Sequence, residues 1–490
     1  MNRVLKCLVM DWLLTGCIVG PDYQQPKVSL PEQWHNQPGH SDSKKANIDE
    51  WWQIFHDPML NQLLADGVAS NLNFRNTLLR IKDARSQYSA VLAEGLPSLT
   101  ARSNVSRRFN NTAGSSQSSE STAGGGFGFG NQLINIYQMG FDAQWEIDFF
   151  GGELRALEAA GATADAELEN SRAVLVSLLG EIAVLYVDLR LNQQLMLIAQ
   201  KDLTIRKDTL QLSEVRQQAG LANMLEVTQA TAQVHEIEAE LPSYQAVIAQ
   251  DIHGLSILVG RAPDALYLRL VPSKALPTAE DAKISELPPE LLQRRPDIRQ
   301  AERQMAIANA QVGVATSELY PKINLAAFIG LQNLNISGFT PIGKSWSTAG
   351  SLSMPIFNWG KLNANLRSKR IQSEQTALNY QNVILIALKE VEDSLVAHNK
   401  EVERKNILIQ TLDTRRLALD LAKELYQKGL SNFINVLDSQ EALTQAKREL
   451  VATQALQAKH LISLYKALGG GWQNQAAAAI PVRPDFKLEL

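Results

Sequence analysis

The chain has 490 residues, with 47 Lys and Arg against 51 Asp and Glu and a net charge of −4. So even a balance excludes a nucleic-acid-binding protein that works through a broad basic surface, and 45% hydrophobic with 20% charged residues excludes a largely disordered chain. No window approaches the roughly 18 consecutive apolar residues of a membrane-spanning helix. The two cysteines, Cys7 and Cys17, provide neither a disulfide framework nor a zinc site.

Arg3 and Lys6 precede a short apolar stretch, Cys7–Leu14, broken by Asp11. This is the outline of a secretory signal. Leu14-Thr15-Gly16-Cys17 resembles a bacterial lipobox, which implies a covalent lipid on Cys17 after removal of residues 1–16. Stable anchoring then needs more than one acyl chain, at about 0.8 kcal/mol per buried methylene. Asp11 works against insertion, by roughly 2.5–3.5 kcal/mol at a helix centre. The plain alternative is an ordinary N-terminus with a chance cysteine. Ile18, where an Asp would retain a lipoprotein of this kind in the inner membrane, implies the outer membrane.

The chain is written twice. Gly220-Leu221-Ala222-Asn223 matches Gly429-Leu430-Ser431-Asn432 at a spacing of 209, and Leu258-Val259-Gly260 matches Ala467-Leu468-Gly469. Upstream, Gly152-Glu153-Leu154 pairs with Gly360-Lys361-Leu362 at 208 and Leu96-Pro97 with Tyr320-Pro321 at 224. The longer spacing reflects a Ser- and Gly-rich loop, Asn110–Gly126, in the first copy; its composition and place between two strands predict a mobile extracellular segment. Each copy reads as strand, loop, strand, very long helix, tight turn, helix, with a Pro-rich connector between the copies. Residues 1–16 are thus assigned to a signal, 17–50 to a lipidated segment and linker, and 51–260 to the first repeat. The connector takes 261–300, the second repeat 301–469 and a tail 470–490.

From Leu362 to Lys428 there is neither Gly nor Pro, and Glu153–Ala219 has only Gly161 and Gly180. At 1.5 Å per residue such a helix is about 100 Å long. Leu168, Leu175, Ile182, Leu189, Met196, Leu203 and Leu210 recur at every seventh position, and Val436, Leu443, Leu450 and Leu464 keep that spacing on a later helix. A sustained seven-residue period means supercoiled packing. A plain coiled-coil scaffold would satisfy this much.

The strands argue for more. In Tyr137–Asp148, Tyr137, Met139, Phe141, Ala143, Trp145 and Ile147 alternate with polar residues and Gly140. Weaker alternation marks Leu99–Ser106, Ile323–Leu331 and Trp346–Ile356. A membrane strand needs about 9–11 such residues, although a soluble antiparallel sheet alternates too. Four strands cannot close a barrel, and an open edge in lipid leaves amides unpaired. Strands in a membrane would therefore demand an oligomer. Trp346, Trp359 and Tyr137 suit an interfacial belt as well as ordinary packing.

Most catalytic motifs fail on context. Gly338-Phe339-Thr340-Pro341-Ile342-Gly343-Lys344-Ser345 spells a phosphate loop, but that chemistry requires a helix after the Ser, and an alternating strand follows here. The seven histidines are scattered, His235-Glu236 lacks a second zinc-binding His, and no nucleophile elbow occurs. In Arg294-Arg295-Pro296-Asp297, Pro296 is expected to stop the preceding segment and Asp297 to cap a helix beginning near Ile298. Nothing suggests an enzyme.

Four strings then converge: Gly20-Pro21-Asp22-Tyr23; Trp51-Trp52 with Phe55 and Asp57-Pro58; the run from Leu291 to Arg299; and the run from Leu464 to Trp472. Together they resemble the outer-membrane factor family, in its lipoprotein branch related to TolC, over nearly the whole length from Cys17 to Trp472. The resemblance implies an α+β membrane protein. In it three copies pool four strands each into a twelve-stranded β-barrel and pool their helices into a periplasmic α-helical barrel. It implies the exit duct of a tripartite efflux pump, with a periplasmic adaptor and an inner-membrane transporter, usually of the resistance-nodulation-division class, as partners. No cofactor beyond the lipid is expected. A type I protein-secretion channel is the rival within this fold, and a lipid-anchored periplasmic adaptor without a pore the rival outside it.

The resemblance also places functional residues. Gly220, Leu221, Gly429 and Leu430 fall in the adaptor-contacting turns at the periplasmic tip, where glycine suits a positive φ. Gate positions fall on Tyr426, Ser431, Asn435 and Asp438, with Glu226 in the first copy. TolC carries an arginine in place of Ser431 and an aspartate in place of Asn435, so an ion-pair latch through residue 431 is impossible. Three copies of Asp438, joined by Glu226, would converge on one axis, favouring protonation or a cation. The plain alternative is solvated carboxylates at a helix end.

Overall fold

The computed structural model describes residues 18–26, 34–35, 48–110, 132–279, 293–335 and 343–473. Cys17 and the segment before it, most of the Ser- and Gly-rich loop, and the tail after Gln473 lie outside these residues. A 3-10 turn, Trp51–Phe55, leads into α1 (Pro58–Ser70) and α2 (Leu72–Glu94). Asp57 caps α1, accepting from the amides of Met59 at 2.8 Å and Leu60 at 3.2 Å with Pro58 at the first helical position. The hairpin β1 (Ser98–Asn110) and β2 (Gln132–Ile147) precedes the long α3 (Gly152–Gln218) and α4 (Met224–Leu258). A single turn, α5 (Tyr267–Leu270), lies in the connector. Then come α6 (Pro296–Ser317), β3 (Lys322–Asn335), β4 (Gly343–Ser353), α7 (Lys361–Gln427) and α8 (Phe433–Ala467).

The duplication is carried residue by residue into the structure. Helices α3 and α7 each have 67 residues and α4 and α8 each have 35, with starts and ends 209 apart. The starts of α2 and α6, and of β1 and β3, are 224 apart. Both Gly151 (φ +77°) and Gly360 (φ +79°) introduce their long helices, so the expected pairing of Gly152 with Gly360 is one residue out of step. Backbone conformation corrects what two matching letters suggested.

The chain divides into two compact units, each drawing on both copies. The first contains Asp83–Ala164 and Arg303–Ala377 with the N-terminal residues to Gln25. Its centre is a four-stranded antiparallel sheet in the order β1-β2-β3-β4, with β1 and β4 as open edges. Met139, Phe141 and Trp145 of β2 stand opposite Leu331, Ile329 and Leu325 of β3, and all six side chains remain exposed. A soluble sheet would cover such a face. The fourth strand is displaced from its expected span, ending at Ser353 because Pro355 has no amide to donate. It also starts early, so Gly343, Lys344 and Ser345 lie in a strand, without the helix a phosphate loop needs.

The second unit contains Pro26–Lys82, Asp165–Glu302 and the segment from Leu378 onward. Leu175, Ile182 and Leu189 of the seven-residue stripe are buried, while Leu168, Met196, Leu203 and Leu210 are half-buried. Polar residues share that surface, which the periodicity did not announce. Arg190, wholly buried, donates to Pro272 O at 3.0 Å and Gln193 Oε1 at 2.6 Å, and Gln193 donates to Leu270 O at 2.8 Å. The connector carbonyls of Leu270 and Pro272 thus take their donors from α3. Farther along, Asp202 accepts from Arg206 Nε at 2.7 Å and Thr444 Oγ1 at 3.0 Å, tying α3 to α8.

The helical residues before Pro296 end at Arg294, as expected, and Pro296 itself opens α6, because its missing amide costs nothing at a first helical position. Asp297 lies inside the first turn, where it accepts from the amide of Ile298 at 2.9 Å and from Nε and Nη2 of Arg295. Arg295 also donates to Ala467 O at 2.8 Å and pairs with Glu390 at 2.8 Å. Burial disfavours its charge, but Asp297 and Glu390 more than offset this and raise its pKa. The Arg-Arg-Pro-Asp string is structural.

Candidate functional site: the helix-to-helix turns

Each long helix ends in the same device. Gly220 (φ +73°) and Gly429 (φ +72°) take the left-handed conformation, and no atom would lie within 4 Å of a Cβ added at either. Glycine is needed there for its backbone, not for space. The Leu221 amide donates to Arg216 O at 2.8 Å and the Leu430 amide to Leu425 O at 2.9 Å, completing Schellman caps. These caps leave Leu221 and Leu430 about 70% exposed (69% and 72%) at the tips.

The positions expected to form a gate do not make one cluster. Tyr426, 8% exposed, packs its ring 5.3 Å from Phe433 and donates its hydroxyl to Glu226 Oε2 at 3.0 Å. This bond joins the end of the second copy's long helix to the first copy's tip. Burial and then the Glu226 carboxylate raise the Tyr426 pKa. Asn435 Nδ2 donates to Ser431 Oγ at 2.8 Å, a bond between neutral groups. Asp438 is exposed and makes no ion pair among the described residues. Glu226, by contrast, is engaged by Tyr426 within one chain, which distinguishes it from Asp438 as a source of free negative charge.

Two residues of this site escaped sequence reasoning. Arg216 places its guanidinium 4.7 Å from the Tyr426 ring centre, and Phe433, 4% exposed, anchors a cluster with Tyr426, Val436, Leu437 and Leu419. A basic residue in the last turn of a helix is a visible signal for Arg216. Its stacking on a tyrosine 210 positions away is not visible in the sequence.

An exposed apolar sheet, duplicated long helices and paired tip turns have close counterparts. The family described as outer membrane efflux protein matches residues 63–261 and 287–470. The chain belongs to it. The solvent efflux pump outer membrane protein SrpC of Pseudomonas putida is 31% identical over 472 residues, covering 94% of this chain and 96% of that protein. The probable outer membrane lipoprotein SilC of Salmonella typhimurium is 28% identical over 470 residues, covering 94% and 97%. Among solved structures, the outer-membrane channel OprN superposes with a TM-score of 0.85 at 29% identity over 93% of this chain and all (100%) of that one. CusC does so with a TM-score of 0.76 at 26% identity, covering 93% and 100%. This efflux protein is therefore an outer-membrane channel of the TolC-like fold, and not an enzyme.

Proposed function

We propose that this efflux protein is the passive exit duct of a tripartite pump for organic solvents, antibiotics or other small toxic solutes. Three copies pool their strands into a twelve-stranded barrel and their helices into a periplasmic tunnel, with lipid on Cys17 as a second anchor. The observation that carries the reading is the bare apolar face of a sheet with two unpaired edges; in lipid those edges must be closed by other copies. Relatives named as outer membrane proteins of solvent, toluene and antibiotic efflux pumps support the cargo class. The turns at Gly220-Leu221 and Gly429-Leu430 meet a periplasmic adaptor, which links the duct to an inner-membrane transporter of the resistance-nodulation-division class. Tyr426, Glu226, Ser431, Asn435 and Asp438 form the periplasmic gate.

In this reading three Asp438 carboxylates face one axis and favour cations. The test is single-channel recording in planar bilayers across a salt gradient. Cation preference and a conductance that falls at low pH are expected, and both weaken in Asp438→Asn. Unchanged selectivity in that variant removes Asp438 as the filter. Absence of any conductance from the purified protein, with solid particles lacking a lumen, overturns the duct itself.

A further inference from the structure

The duplication contains a template for the contact between copies. Within one chain, β2 of the first copy pairs with β3 of the second, Ile147 opposite Ile323 and Gln144 opposite Ala326. The open edges are β4 and β1, the repeat counterparts of β2 and β3. The counterpart spacings are tested inside the chain. Applying 209 and 224 to the pair Gln144–Ser98 yields Ser353–Lys322, which is the pairing observed. The same spacings convert the internal β2–β3 ladder into a ladder between β4 of one chain and β1 of the next.

We propose that a second copy of this chain docks on the β4 edge in that register, with Ala349 opposite Ser106 and Ser351 opposite Asn104, and that Trp359 is its anchor. The inference rests on the trimer of the preceding subsection and adds its residue-level seam. A feature not used to derive the register agrees with it. It sets Trp346 opposite Phe109 and Gly350 opposite Val105, so the exposed apolar residues Trp346, Phe109 and Val105 fall on one face. A slip of one residue would place Leu352 opposite Arg102 and reverse every side chain along the seam.

Trp359 supplies the second observation. It is 91% exposed, and its φ of +54° is uncommon for a residue with a side chain. Its ring has Phe357 5.0 Å away, itself 75% exposed. The counterpart of Trp359 is Phe150, and Phe150 stacks on Tyr320, just before β3, at 4.7 Å. The counterpart of Tyr320 is Leu96, just before β1 and 51% exposed. The neighbour that Phe150 finds within its own chain is thus offered to Trp359 by Leu96 and Pro97 of the next copy.

The test is oxidative cross-linking of the full-length protein in outer membranes, using Ala349→Cys with Ser106→Cys and each single variant as background. Within one chain these positions lie on opposite sheet edges, at least three strand spacings or roughly 14 Å apart, beyond the about 7 Å that a disulfide spans. Covalent dimers and trimers are expected from this pair and not from Ser347→Cys with Ser106→Cys. A particle of trimer mass that cross-links through the shifted pair, or fails to cross-link through Ala349→Cys with Ser106→Cys, overturns the register and leaves the trimer standing. A particle of monomer mass in mild detergent overturns the trimer as well. Trp359→Ala should raise the dissociation constant of the trimer about tenfold or more while Trp359→Phe largely restores it; an unchanged constant in Trp359→Ala removes Trp359 from the seam.

Discussion

The two tip turns share one backbone and differ in what they bury. Gly220 and Gly429 have φ values one degree apart (+73° and +72°), and each is followed by an exposed leucine and, two residues later, an N-cap asparagine. Four residues beyond Gly429, however, the chain turns inward. Phe433 is 4% exposed, whereas its counterpart Met224 is 67% exposed; Tyr426 is buried where the first copy has exposed Gln217. Even the caps differ, since Asn223 accepts from the Glu226 amide at 3.0 Å and Asn432 makes no side-chain cap bond. Turn chemistry is local and survived duplication in both copies. The aromatic anchor was placed in one copy only, and that asymmetry gives the tip a fixed side and a free side.

The largest effect that probes this asymmetry is truncation of the anchor. Phe433→Ala should cost about 3–5 kcal/mol, as for other buried phenylalanines, whereas Met224→Ala should stay within roughly 0.5 kcal/mol. Denaturant unfolding of the two variants measures the contrast, and equal losses would erase the distinction between the sides. Next are the glycines. Gly220→Ala and Gly429→Ala should each cost about 1–2 kcal/mol, nearly equally, because neither Cβ would meet a neighbour; hydrogen exchange at the tips reads this. A smaller change is expected from Tyr426→Phe, which removes the hydroxyl that holds Glu226 and should destabilise the tip by about 1 kcal/mol. If the bond acts as a latch, the open fraction in bilayer recordings rises as well, while an unchanged open fraction limits it to stability.

The smallest effect concerns pH and another departure between the copies. The stripe residue Leu189 has His398 as its counterpart on α7. Burial lowers the His398 pKa, with His460 adding to this and a hydrogen bond to the Gln457 backbone opposing it. A histidine lowered in the fold is held neutral, so its contribution is present above its ordinary value of 6.5 and is lost as pH falls below that value. Thermal unfolding should therefore show a mild loss of stability as pH falls below about 6.5. His398→Leu, which copies the first repeat, should flatten that slope, and an undiminished slope in the variant would assign it to other groups.

The sequence by itself determined the duplication, the four strands, the lengths of the paired helices and the glycines of both turns. These are legible because each depends on near neighbours: alternation of two along a strand, a period of seven along a helix, a residue without Cβ where φ is positive. It could not determine which polar residues of α3 face inward. Arg190 and Asp202 look like ordinary helix-surface residues until the connector carbonyls and α8 are brought beside them. Nor could it show that Arg216, Tyr426 and Glu226 meet, because the two repeats carrying them are joined only by folding. Pro296 was legible as a boundary between helical segments, but that Arg295 beside it is held by the Ala467 carbonyl across the structure was not. The division is physical. Backbone preference acts over a few residues and is written locally, while the pairing of buried charges and aromatic rings is settled where distant segments exclude water together.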